Sequence, residues 1–285
     1  MIHAVTVAAR RHQIFLTELR KFGAFMRRDF LVAWSYRMAF VSDLLGLVGL
    51  VLVFYFISLM VDPSKLPTYG GTQVTYLEFA AVGMTLGIFI QFALQRVAAA
   101  MRAEQLIGTL ESLLVTPTSH SIIQLGSVAF DLVYTPLRTV VFLLAISFTF
   151  GLHFDLGGLP KAAAILLLFV PFIWGLGVAS AAGVLTFRRG SGLVALGAIA
   201  LSLVSGIYFP LDLLPAWLSE LARLNPVAMA INGMRDALLG GASWSEIAPT
   251  LLMLIPLSAA SLAGGLVAFR YALRRENRLG TLGLY

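Results

Sequence analysis

The sequence predicts an all-α integral membrane protein with six transmembrane helices, and three observations carry that reading. The 285-residue chain is 59 % hydrophobic and only 12 % charged, with a mean hydropathy of +0.90, whereas soluble domains carry roughly 25 % charged residues. The charges fall outside long uncharged runs, the clearest at 162–187, 190–211 and 247–269, each long enough for the ~20 residues that cross a bilayer core as a helix. The runs are continuous, without the period-2 alternation of barrel strands, so helices are expected. The six spans are read at 38–61, 76–97, 122–150, 161–187, 191–209 and 247–271.

Ahead of the first span, Phe15, Leu19, Phe22, Met26, Phe30 and Ala33 recur at steps of three or four. They fall within an arc of ~80° on a helical wheel, while Arg20, Lys21, Arg27 and Arg28 lie on the far side. Residues 13–36 are therefore expected to form a basic amphipathic helix in the membrane interface; a helix packed on a soluble partner is the other reading. The stretch 62–75 (DPSKLPTYGGTQVT) reads as a loop rich in Pro and Gly.

After the second span, the helical pattern resumes over 102–116. Leu106, Leu110 and Leu113 share one face, and Glu104, Gly108 and Glu111 share the opposite one. Thr116-Pro117 ends it, because the residue before proline is biased out of the α region, and Ser119 or Ser121 can cap the span that follows. Two readings of this helix stay open: a solvated surface element, or a short rigid helix built to receive force from a cytosolic partner.

The third span carries Asp131 and Arg138, seven residues apart and so on nearly the same face. Placing such groups in a membrane costs at least ~2.5–3.5 kcal/mol on insertion scales. They are read as a structural pair, with ion coupling in a carrier as the alternative; Asp43 in the first span is read the same way. Between the last two spans, "SGIYFPLDLLPAWLSELARLNPVAMAINGMRDALLGG" is too polar to span and too apolar to float free. Pro215 and Pro226 sit where a first helical turn tolerates proline, Asn225 can cap the second piece, and Gly240–Gly241 stop it. Residues 210–240 are thus expected to be two short re-entrant helices, buried against protein as irregular backbone at membrane depth must be.

An even number of spans puts both termini on one side. Fifteen Lys/Arg flank the spans on that side, against Lys65, Lys161, Arg223 and Arg235 on the other. By the positive-inside rule both termini are cytoplasmic in a multi-pass protein of the inner (plasma) membrane. The net charge of +6 then faces cytosol and anionic headgroups, and no nucleic acid is needed to explain it. The basic leader is long and no A-x-A-like site follows the first apolar segment, so a cleaved signal peptide is not expected. No internal repeat or second domain is evident: 1–285 reads as one unit.

Catalytic chemistry finds little support. The chain has no cysteine, which excludes thiol chemistry. His3, His12, His120 and His153 are scattered over four segments, without the convergence that metal or general-base sites need; this disfavours a membrane enzyme acting on lipids. None of Lys21, Lys65 and Lys161 sits in the Gly-Lys-Ser/Thr context of a phosphate-cradling loop. ATP hydrolysis by that route must come from another chain.

The stretch "RAEQLIGTLESLLVTPTS" resembles the cytoplasmic loop of the ABC type-2 transporter permeases, with their Gly-Thr-x-Glu…Thr-Pro signature after the second span. "GIYFPLDLLPAWLSELARLNPVAMAINGMRDALL" is similar to the same family's second signature, Phe-Pro…Leu-Pro-x-Trp-Leu…Asn-Pro…Arg. The importer loop Glu-Ala-Ala…Gly differs in its acid–glycine order. The resemblance implies that 13–36 is a connecting helix and 102–116 a coupling helix. The latter would dock on a separate nucleotide-binding ATPase subunit through Gly108, Thr109 and Glu111, with Glu104 and Ser112 on or beside the same face. It also implies re-entrant helices over 210–240, with Pro210, Pro215, Trp217, Asn225, Pro226 and Arg235 on the signature. The expected function is the permease subunit of an ATP-driven exporter, a dimer of two copies or with a related permease. The cargo would be an amphipath such as a drug, lipid or lipid-linked glycan. ATP and Mg would be bound by the partner ATPase, and no cofactor by this chain. The alternative is an ATP-independent secondary carrier using Asp131 and Arg138.

Overall fold

A computed structural model describes residues 37–107, 129–186 and 190–279, with positions 23–24, 26–28, 30–31 and 35 ahead of them. Most of the expected connecting helix, 13–36, lies outside the described residues. Among the described residues the longer helices are, in chain order, α1 (Arg37–Ser58), α2 (Tyr76–Ile107), α3 (Ala129–Phe150), α4 (Leu159–Thr186) and α5 (Gly190–Leu203), with α8 (Trp244–Leu279) last. Between α5 and α8 lie the short helices α6 (Ala216–Arg223) and α7 (Pro226–Leu238). By length and composition, Leu156–Thr186 and Trp244–Arg275 could each cross a bilayer, and shorter apolar stretches lie at Leu45–Ser58, Tyr76–Gln91, Val140–Phe150 and Val194–Leu203. The described residues are mostly helical, consistent with an α-helical membrane protein.

Boundaries differ from the sequence reading in several places. The second helix, read as a span at 76–97, runs unbroken to Ile107 and so takes in 102–107, the start of the segment read as a separate helix over 102–116; residues 108–116 lie outside the described residues. The fifth uncharged run is helical only to Leu203, and the chain then turns at Gly206, which takes a positive φ of 69°. The fourteen helical residues of α5 rise ~21 Å along the axis. The last helix runs on to Leu279, past the expected end at 271. Within the 62–75 loop, β1 (Thr68–Tyr69) and β2 (Thr72–Gln73) form a tight antiparallel hairpin. Gly70 and Gly71 supply the positive φ values, 56° and 76°, that a two-residue turn of this hand requires.

The core forms where α4 packs against α2, α7 and α8. Phe169, Ile165 and Ile173 of α4 meet Leu86 and Ile90 of α2 and Ile231 of α7. α4 and α8 run together along a seam of small residues. A Cβ on Gly265 would sit 2.2 Å from the Gly175 oxygen, and one on Gly175 would sit 2.3 Å from Ser261 backbone. Such close approach is how helices associate where lipid removes the hydrophobic drive. Along the same seam Ser258 Oγ donates to the Leu168 carbonyl (2.6 Å) and Ser261 Oγ to that of Phe172 (2.7 Å). Pro171 lies between these two acceptors in α4. A proline loosens the hydrogen-bond ladder around it, and α8 supplies polar partners on either side.

Candidate functional site

The segments expected to face outward converge at one end of the bundle and form a cap. The Asp155 N–H donates to the Leu238 carbonyl (2.8 Å), joining the α3–α4 loop to the end of α7. Lys161, buried at the start of α4, donates from Nζ to the Ala242 carbonyl (2.6 Å). The hairpin glycine Gly70 lies against Gly240, where a Cβ would sit 2.1 Å from the Gly240 oxygen. The Tyr76 hydroxyl donates to the Tyr208 carbonyl (2.9 Å). Glu78, in the first turn of α2, accepts from the backbone N–H and hydroxyl of Thr75 and from the backbone N–H of His153. One carboxylate thus caps its own helix and holds the neighbouring loop.

At the centre of the cap is α7. Its N-terminus is specified by Asn225-Pro226: Asn225 Oδ1 accepts from the Val227 N–H (3.0 Å), and Pro226 opens the helix where no donor is needed. Asn225 Nδ2 also donates to Ser205 Oγ (2.9 Å), tying α7 to the turn that ends α5. The buried face, including Val227, Ala230, Ile231, Met234 and Leu238, follows helical spacing. Position 235 falls on that face, and it is an arginine.

Arg235 is 1 % exposed, and among the described residues its hydrogen-bond partners are neutral oxygens rather than carboxylates. Nε and Nη2 donate to the Phe79 carbonyl at 3.2 and 3.1 Å. Nη2 also reaches the carbonyls of Gly206 (2.9 Å) and Ile207 (3.2 Å). The guanidinium carbon lies 3.5 Å from the centroid of the Phe79 ring, a cation–π stack of the close kind. Burial pulls its pKa down to about 10, which leaves it charged at neutral pH. Burial likewise pushes the nearby Tyr69 phenol up, opposed by the Arg235 charge. The carbonyls belong to the first turn of α2 and the break after α5, so one cation fastens three segments of the cap.

Glycines make room for this arrangement. A Cβ on Gly83 would meet the Ile207 oxygen at 2.1 Å and Arg235 Nη2 at 2.7 Å; one on Gly87 would touch the Ile207 side chain at 3.2 Å. Gly83 and Gly87, at small-xxx-small spacing, let α2 approach the 206–207 turn closely.

On the rim of the cap, α6 is strongly two-faced. Ser219 and Ala222 are buried, while Trp217, Leu221 and Leu224 are exposed, Trp217 by 66 %. Pro215 caps the start of α6, and Pro210 precedes the short 3₁₀ turn Leu211–Leu213. Arg223 pairs with Asp212 at 2.8 Å on the exposed surface. Between α1 and α3 lies a groove of about 410 Å³ lined by Leu47, Val51, Val141, Phe142, Ile146 and Thr149 among others. Its chemistry suits an apolar chain rather than a charged group. Among the described residues no three His, Asp or Glu side chains gather as a metal site would require.

Of the residues expected from sequence, Pro210, Pro215, Trp217, Asn225, Pro226 and Arg235 come together in the cap. Asp131 and Arg138 lie two turns apart on α3, and Glu104 on the last turns of α2. Gly108, Thr109, Glu111 and Ser112 lie outside the described residues. The sequence reading placed Arg235 in the re-entrant segment, among the basic residues on the outward side, and did not single out Phe79, Gly83, Gly206 or Glu78. Two signals were present: the 231–235–238 spacing puts Arg235 on an apolar stripe, and Gly83-x-x-x-Gly87 marks a close helix contact.

A family model described as "ABC-2 type transporter" matches residues 20–239. The linearmycin resistance permease protein LnrN of Bacillus subtilis (strain 168) is 26 % identical over 201 residues, covering 70 % of this chain and 51 % of that protein. The chain spans about half the length of this curated relative.

Proposed function

This chain belongs to the ABC-2 type transporter family, and on that premise we propose that it is the permease subunit of an exporter driven by a separate ATPase. It is a transmembrane permease of the ABC-transporter class. The finer assignments are our reading. Six spans carry the chain across the plasma membrane with both termini in the cytosol and the cap outside. Two permeases pair, as two copies or with a related chain, and each receives one ATPase, which binds ATP and Mg. The cargo is amphipathic, a drug-like molecule, lipid or lipid-linked glycan, and a relative named for linearmycin resistance favours the drug-like class.

The observation that carries the reading is the extent of the family match. It runs from within the N-terminal amphipathic stretch to the end of the cap, so both signature segments lie inside it. In this reading, residues 102–116 receive the movement of the closing ATPase, with Glu111 at the contact. Motion entering there travels along α2, whose far end is held to the cap by Phe79 and Arg235. The rival, an ion-coupled carrier using Asp131 and Arg138, needs no ATPase.

The test is charge reversal at the expected contact. A carboxylate at a subunit contact pairs with a donor, and stranding that donor costs about 2–5 kcal/mol when it is buried. Glu111→Lys is expected to insert and assemble normally yet lose capture of the ATPase in a pull-down and lose transport, while Ser112→Ala keeps both. An E111K protein that binds its ATPase and transports at the wild-type rate would remove the coupling role from this helix.

A further inference from the structure

The last helix continues straight through Arg270 to Leu279, and its final turns have two contrasting faces. Phe269, Ala272 and Leu273 are buried against Ala181, Ala182 and Leu185 of α4. Arg270, Tyr271, Arg274 and Arg278 are exposed. At 100° per residue they fall within ~100° of arc, and the acid of this stretch, Glu276, sits at ~240° from Arg270 in register. The exposed arc therefore carries three guanidinium groups and one phenol.

The depth of this arc follows from the helix itself. Trp244 is exposed at the first residue of α8 and Tyr271 is exposed 27 residues later, which is ~40 Å along the axis. A bilayer measured through its headgroup regions is ~40–45 Å thick, and exposed Trp and Tyr mark its two interfaces. Arg270 then lies at headgroup level, with Arg274 and Arg278 one and two turns beyond. Between these marks the helix shows lipid-facing apolar side chains such as Leu252, Ile255 and Val267.

We propose that Arg270, Arg274 and Arg278 form a binding site for anionic phospholipid headgroups at the cytoplasmic end of α8. The inference rests on the reading of α8 as a span. Guanidinium groups on one arc match phosphate geometry and can pair with it through two parallel N–H donors. Because the opposite face is locked to α4 through the Gly175–Gly265 seam, a bound anionic lipid holds the α4–α8 pair at a fixed depth. Three arginines near such a surface favour an anionic over a zwitterionic lipid by about a hundredfold.

The natural absence of cysteine makes the site directly measurable. Val267, 64 % exposed and one turn inside Arg270 on the same arc, is changed to cysteine and given a fluorophore. The full-length protein is reconstituted in symmetric vesicles of phosphatidylcholine and phosphatidylglycerol, with brominated acyl chains on one lipid or the other. Stronger quenching by brominated phosphatidylglycerol is expected, weakened by high salt. The preference should vanish in R270Q/R274Q/R278Q and survive in the corresponding triple lysine variant. Soluble glycerol phosphate in excess should leave it unchanged, since the ligand is a membrane lipid. Equal quenching by both lipids, or a preference indifferent to the triple glutamine change, would overturn the site. Symmetric vesicles make this readout independent of orientation, which is scored separately by impermeant labelling of Asn277→Cys in intact cells. Labelling from outside would refute the cytoplasmic placement while leaving the lipid preference to be judged on its own.

Discussion

The Arg235 guanidinium lies 3.5 Å from the centroid of the Phe79 ring while two of its nitrogens donate to Phe79's own carbonyl. One residue thus offers a π face and a backbone acceptor to a cation 156 positions away in sequence. The same guanidinium closes on Gly206 and Ile207, so the start of α2, the break after α5 and the body of α7 cannot separate without exposing a buried charge.

Removing that cation should destabilise the cap strongly. Arg235→Ala takes the guanidinium donor from the carbonyls of Gly206 and Ile207, at about 1–3 kcal/mol for each left buried and unpaired, and removes the second donor and the stacking partner of Phe79. Arg235→Lys should recover only part of this, because an ammonium lacks the planar fork and the stacking surface. Thermal unfolding in detergent, followed by fluorescence size-exclusion chromatography, should rank wild type above lysine and lysine above alanine. An alanine variant with the wild-type midpoint would show that the carbonyls find other donors.

The α4–α8 seam separates two adjacent glycines. Gly265→Ala places a Cβ 2.2 Å from the Gly175 oxygen, whereas Gly264→Ala meets nothing within 4 Å. Backbone on the far side cannot yield as a flexible side chain can, so overpacking of ~1–3 kcal/mol or more is expected at 265. At 264, a helical glycine replaced by alanine should gain up to ~1 kcal/mol. The two single variants, expressed in parallel, are compared by folded yield and unfolding midpoint; equal behaviour would contradict the seam.

Asp131 and Arg138 are expected to act as a structural pair. Asp131→Asn and Arg138→Gln should each lower the amount of folded protein, and the double variant should restore part of it, the signature of coupled sites. An ion-coupled carrier predicts the opposite: normal folding, lost transport, and transport without any ATPase in the wild type. Membrane yield together with transport in vesicles lacking the ATPase separates the two.

Orientation can be read in the same cysteine-free background. Ser64→Cys, exposed in the loop before the hairpin, should react with an impermeant thiol reagent in intact cells. Ser112→Cys should react only after permeabilisation. The expectation comes from the basic asymmetry of the flanks, and the reverse pattern would invert the topology.

Much of the helical skeleton was legible in the sequence. Long uncharged runs become helices because a backbone in lipid must satisfy its own hydrogen bonds. The start of α7 was legible too, since Asn225-Pro226 is a local signal that acts within one turn. The end of α5 was less so: hydropathy continues past Leu203, and the helix gives way to a turn at Gly206, which takes a positive φ. The length of α8 was missed because arginines at 270–278 look like a solvated tail until Phe269, Ala272 and Leu273 are seen against α4.

By itself, then, the sequence determined which segments become apolar helices, which ends carry the positive charge, and where proline, asparagine and glycine punctuate the short helices, because each is a property of composition or of neighbours within a few residues. Tertiary structure alone decided the fate of Arg235, the contact of Gly175 with Gly265, and the joining of Glu78 to His153. Their partners are mostly backbone atoms, which leave no mark in the residue alphabet, and lie 75 or more positions away in the longest cases. A charge that composition assigns to water is held instead by carbonyls that only the packed helices bring together, since an arginine buried on an apolar face must find acceptors wherever the fold supplies them.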